Sequence, residues 1–224
     1  MVQGTGLQLA IGMWLTRDAV MRAYAEELLR TAFNARPDEG EIGAALTRFY
    51  LDLAEEMLRM RDPEIREEDR RQEMDNLLKN MLTLSESARR ILSRKLYDVG
   101  RNVESGKTAL KDANGQEMNL SVGAKRMAAS EFVRAATILN VENVEALDWL
   151  KTFYEEEGNF DEALKTFGML IDTLSDRPEL MHGVYLSLAQ LQLDYGQQCY
   201  TRFKEKLRAD DEETAAKLRN QAVQ

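Results

Sequence analysis

The stretch from Val144 to Arg177, VEALDWLKTFYEEEGNFDEALKTFGMLIDTLSDR, constrains the fold more than any other part of the chain. Leu147, Leu150 and Tyr154 recur at helical spacing, Gly158-Asn159 interrupts, and Phe160, Ala163, Leu164, Phe167 and Leu170 resume the spacing before Pro178. The pattern predicts two helices joined by a short turn. Each helix carries an apolar stripe that only a packed neighbour can remove from water.

The same periodicity runs through most of the chain. From Thr16 to Ala35, Met21, Ala25, Leu28 and Ala32, flanked by Tyr24 and Leu29, form one stripe, and Pro37-Asp38-Glu39-Gly40 ends it. Ile42, Leu46, Phe49, Leu53, Met57 and Met60 mark a second, longer helix. Asp62-Pro63 has the form of a helix start, an acidic cap followed by proline. The charged run after it predicts a solvated face with opposite-charge pairs such as Glu67 with Arg70 or Arg71 before Met74, Leu77, Leu78 and Met81 turn inward. Ser85-Glu86-Ser87 opens a fourth helix with Ala88, Ile91, Leu92, Leu96, Val99 and Val103 on one side.

Gly106, Gly115 and Gly123 break residues 105–123, which reads as an irregular linker and as the domain boundary. Beyond it, Met127, Ala128, Phe132, Ala135, Ala136 and Leu139 line another helix, and Asn140–Asn143 turns into the Val144 segment. After Pro178, Leu180, Val184, Tyr185, Leu188 and Leu191 predict a helix, Gly196 an interruption, and Cys199, Tyr200, Phe203 and Leu207 a further helix. The tail from Asp210 reads as a capping helix or a fraying end. With 3 Pro and 13 Gly in 224 residues, the expectation is an all-α fold: an N-terminal helical bundle or divergent repeats over 1–104, the linker, and helical repeats over 124–224.

The residues of 144–177 resemble the tetratricopeptide repeat, a pair of antiparallel helices. Leu147, Leu150 and Tyr154 sit where that family keeps large first-helix residues, and Gly158-Asn159-Phe160-Asp161-Glu162-Ala163 resembles its turn and second-helix start. Lys151 stands where a small residue is usual, and Pro178 comes later than the family proline. Ala129, Val133 and Ala136 resemble the second helix of a preceding repeat, and residues 179–208 have the length of a following one, although Gln198 and either Ser187 or Gln192 stand where larger apolar groups belong. The resemblance implies antiparallel hairpins stacked as an α-solenoid with a concave face lined by first helices. By matching positions that face holds Glu145, Asp148, Thr152, Glu155 and Glu156, an acidic protein-binding surface suited to a basic partner segment.

Charge points the same way. With 30 basic against 39 acidic residues the chain would repel a polyanion, and it has no basic run interleaved with aromatics, so nucleic acid is not an expected partner. Gly100 to Thr108 resembles a phosphate-binding loop, but its glycines are spaced one residue too far apart and follow a helical stripe rather than a strand. Glu179 and His182 have the spacing of two metal ligands on one helix, yet such sites need more than one histidine and this chain has one. The lone Cys199 reads as a buried apolar group in a reducing compartment, and the methionines as core filler.

Expected, therefore, is a non-enzymatic, cytoplasmic scaffold or adaptor with no catalytic, cofactor-binding or metal-binding residues, holding another protein or a basic peptide. Alternatives are a subunit that self-assembles as a homo-oligomer or docks into a larger complex, and a secretion or assembly chaperone. The apolar run Leu7 to Leu15 is too short to span a bilayer, and its expected role is docking, with membrane contact or a periplasmic setting as the alternative if an anchor had preceded it.

Overall fold

The structure, a computed structural model, describes all residues except 1–2, 17, 37–39, 62–66, 113, 209–211 and 223–224, and a few side chains beside these. The fold is all-α apart from two very short strands. In chain order the helices are α1 (Gln3–Leu15), α2 (Ala19–Ala35), α3 (Gly40–Arg59), α4 (Glu67–Leu82), α5 (Glu86–Glu104), α6 (Val122–Leu139), α7 (Val144–Glu156), α8 (Phe160–Thr173), α9 (Pro178–Arg208) and α10 (Glu212–Gln221). Strands β1 (Met60–Arg61) and β2 (Lys111–Asp112) pair in parallel. No helix among the described residues is long and apolar enough to cross a membrane.

The chain divides into two compact units, Met1–Asn143 and Val144–Gln224. This moves the boundary from the expected linker at 105–123 to the turn before α7. The physical reason is the α5–α6 pairing, the most extensive helix contact among the described residues, which spans the supposed linker. It is antiparallel: the Ser93 hydroxyl donates to the Ala136 carbonyl (2.8 Å), Gly100 lies against Ala129, Phe132 and Val133, and Glu104 faces Arg126 at 3.8 Å. A Cβ on Gly100 would sit 3.0 Å from Val133 Cγ2 and 3.1 Å from the Ala129 carbonyl oxygen, so only glycine lets the two backbones approach this closely.

Residues between α5 and α6 are ordered by their own polar groups. The Asp112 carboxylate accepts from the Asn114 and Gln116 amides (2.9 and 2.8 Å), Gly115 turns with φ of 77°, and Lys111 bridges back to Glu117. Arg59 at the end of α3 donates to the Ala109 carbonyl (3.2 Å), tying this turn to the first unit.

The expected N-terminal helices form, with α2 capped by Asp18 and α5 by Ser85, but some buried faces differ. In α2 the buried residues are Ala25 and Leu29, while Met21, Tyr24 and Leu28 face solvent. The helix is rotated so that Arg22 reaches Glu56 (2.7 Å) and Glu26 accepts from the Tyr50 hydroxyl (2.8 Å) and the Asn80 amide (3.1 Å). Partners on α3 and α4 thus draw in charges that a hydrophobic count leaves outside. Ile91 and Met127 are likewise exposed. The expected Asp62-Pro63 cap and the Glu67 and Arg70 side chains lie outside the described residues.

In the second unit, α7 and α8 form the hairpin expected for 144–177. Asn159 caps α8 by accepting from the Glu162 amide, and Gly158 turns with φ of 67°. Leu147 packs with Leu170 and Leu174, and Met181 and Val184 of α9 close over them. Ala163 and Phe167 pack with Leu191, and Phe160 stacks on Tyr195 at 4.9 Å. Helices α7, α8 and α9 therefore alternate in direction. The expected interruption at Gly196 does not occur: α9 is one helix from Pro178 to Arg208, because glycine inside a helix costs only about 1 kcal/mol and flanking contacts offset it. Residues 179–208 thus supply one long helix rather than a further two-helix repeat. The tail forms α10, which folds back along α9 with the Ala222 carbonyl beside Gly196.

Replacing Gly100 by valine should lower stability by about 1–3 kcal/mol, since two branched methyls must enter a contact already closed by backbone. Urea unfolding measures this, and an unchanged midpoint would show that α5 and α6 can part at no cost.

Candidate functional site

The five residues expected on the binding face all project from one side of α7. Glu145, Asp148 and Glu156 are exposed, and Thr152 and Glu155 are half-buried. The opposite side, Ala146, Leu147, Leu150 and Phe153, is buried, and this amphipathic division holds the carboxylates outward. Thr152 turns its hydroxyl onto the Asp148 carbonyl (3.0 Å), so its side chain serves the helix rather than the solvent face.

Lys151, the departure from the repeat pattern, has a visible role. Its ammonium lies 5.4 Å from the Phe167 ring centroid and 2.9 Å from Asp148, and its stem is buried over the hairpin core. A small residue here would leave that ring less covered. Glu155 carries the electrostatic signature of the face. Burial pushes its pKa up, the Lys151 ammonium opposes this, and Asp148, Glu156 and Asp194 add to the rise.

A second polar site lies in the first unit, where a cleft of about 250 Å³ is lined by Trp14, Leu15, Arg22, Asp52, Glu55, Glu56, Arg59 and Lys111. Trp14 is fixed edge-on to Phe49 at 5.6 Å. Arg22 pairs with Glu56, and Arg59 lies 3.8 Å from Glu55. Burial raises the pKa of both Asp52 and Glu55 despite neighbouring arginines. Residues from α1, α2, α3 and the β2 turn meet here. Periodicity could not have found this group, since it selects apolar residues, although charges at Asp52, Glu55, Glu56 and Arg59 so close together on an amphipathic helix were a signal.

The motifs set aside in the sequence fall elsewhere. Gly100 is inside α5, Glu179 and His182 are exposed on α9, and Cys199 is buried. Among the described residues, no group of three or more His, Cys, Asp or Glu side chains could hold a metal ion. Set against protein-family models, curated proteins and solved structures, the chain matches none.

The raised pKa of Glu55 fixes the sign of a pH effect. The folded state holds this proton more tightly than the unfolded state, so stability falls as pH rises from the ordinary value of 4.5 through the raised one. Glu55→Gln should remove that part of the pH dependence and should not lower the melting temperature at neutral pH. Melting curves across pH check this, and a neutral-pH loss in the variant would mean that the Arg59 pair outweighs desolvation.

Proposed function

We propose that the protein is a non-enzymatic scaffold, with the second unit acting as a tetratricopeptide-like module that holds a basic segment of another protein on the outer face of α7. The observation that carries this reading is the set of carboxylates at Glu145, Asp148, Glu155 and Glu156 on one side of a helix whose other side is fully used in packing. The α7–α8 hairpin supports it, because its core is closed by Leu147, Phe167 and Leu170 without any of those carboxylates. The buried lone cysteine suits a reducing compartment, and we place the protein in the cytoplasm.

Glu155 gives the binding a direction with pH. Its raised pKa keeps part of the face protonated on the acid side, so affinity for a cationic segment should grow as pH rises through that value. Added salt should weaken the complex, as screening reduces attraction between exposed charges.

The test is affinity capture from the native cell with the wild type and with Asp148→Lys combined with Glu156→Lys. The double variant should retain less than about a tenth of the partner, while its melting temperature stays close to wild type because an exposed pair contributes only about 0.2–1 kcal/mol. Equal capture by both proteins would remove α7 as the binding face.

A further inference from the structure

The charges lining the cleft of the first unit are sorted along α3. Asp52, Glu55, Glu56 and Arg59 follow one another at steps of three, one and three, so they share one side of the helix over about 10 Å. Asp52 and Glu55 stand toward one end, with Trp14, whose ring packs on Phe49 one turn before Asp52. Lys111 stands at the other end, because the strand register sets it beside Met60, the residue after Arg59. The cleft is thus acidic toward one end and basic toward the other.

Some of these groups are engaged within the chain, and three are left for a ligand. Arg22 holds Glu56 at 2.7 Å, and Arg59 donates from Nε and Nη2 to the Ala109 carbonyl (3.3 and 3.2 Å). The arginines paired with Asp52 and Glu55, Arg48 and Arg59, lie 3.8 Å away, beyond hydrogen-bond distance. Among the described residues neither carboxylate accepts a hydrogen bond, and the Lys111 ammonium donates none. A simple anion would meet three carboxylates here, and no group of three or more His, Cys, Asp or Glu among the described residues is placed to hold a metal ion.

The spacing of the three groups selects the ligand. An α-amino acid carries its ammonium and carboxylate on one carbon, too close together to reach both ends of the cleft. A linear molecule with an ammonium at one end, a carboxylate at the other and methylenes between them matches the charges, and its methylenes can lie along Trp14 and Leu15. At about 250 Å³ the cleft is just below the range that drug-sized ligands occupy, so the chain is short. We infer that this cleft binds a linear ω-amino acid, with its ammonium on Asp52 and Glu55 and its carboxylate on Lys111. The site uses no residue of the second unit, so the inference stands independently of the α7 reading.

The test is titration calorimetry of the full chain with aminohexanoate charged at its two ends, run at two temperatures so that a heat near zero at one is seen at the other. The wild type should bind with a Kd at or below about 1 mM. Hexylammonium, which lacks the carboxylate, and hexanoate, which lacks the ammonium, should each bind at least about tenfold more weakly. Lys111→Met should weaken aminohexanoate about tenfold and leave hexylammonium unchanged, whereas Asp52→Asn combined with Glu55→Gln should weaken both. Absence of binding to the wild type overturns the inference, and so does aminohexanoate binding no tighter than the two singly charged compounds. An equal effect of Lys111→Met on both ligands overturns the placement of the carboxylate. Should the double variant fail to fold, the three ligands on the wild type decide.

Discussion

The close approach of α5 to α6 depends on one missing side chain. At Gly100 the α5 backbone lies against Ala129, Phe132 and Val133 of α6, and from that point the pair stays in register in both directions. Toward one end Ser93 donates to Ala136 and accepts from the Asn143 amide (2.9 Å), and toward the other Glu104 reaches Arg126. A buried hydroxyl that both donates and accepts is itself satisfied, so burying Ser93 costs little. The turn between the helices can then be as irregular as its glycines require, because the helices on either side are already held. Asn143, the final residue of the first unit, is tied to this pair through Ser93.

Polar contacts set the geometry of the N-terminal helices in a related way. Glu26 accepts from Tyr50 and Asn80, joining three helices at one carboxylate, and burial with that carboxylate raises the Tyr50 hydroxyl pKa well beyond its ordinary range. Apolar side chains can slide across one another at small cost. Directed hydrogen bonds in a half-buried place cannot, so they select one rotation of α2 among several that would bury comparable apolar area.

This explains which parts of the fold were legible in the sequence. Helix positions were, because apolar residues repeat with the helical period and caps such as Ser85 and Asn159 mark the starts. The rotation of α2 was not, because the choice between Met21–Tyr24–Leu28 and Ala25–Leu29 is made by Arg22 and Glu26 finding partners distant in sequence. The domain boundary was misplaced because glycines locate a break in local structure and say nothing of contacts across it. Gly196 misled in the opposite sense, since packing by α10 holds the helix through it. Of the candidate site, Glu145, Asp148, Thr152, Glu155 and Glu156 came from matching positions in the repeat resemblance, and helical spacing puts them on one side of α7. The charged cleft around Arg22 and Glu56 required side chains from four elements to meet, which no spacing records.

The length of α9 has a consequence for how the second unit comes apart. At about 1.5 Å per residue its 31 residues make it more than twice as long as α8 with 14. Contacts with α8 extend from Met181 to about Tyr195, and beyond that α10 is the neighbour with extensive contact. The helix is therefore one element by geometry and two by energetics. Its first part shares its neighbours with the hairpin core, while its later turns pack with α10, so amides in one continuous helix are expected to exchange at two rates.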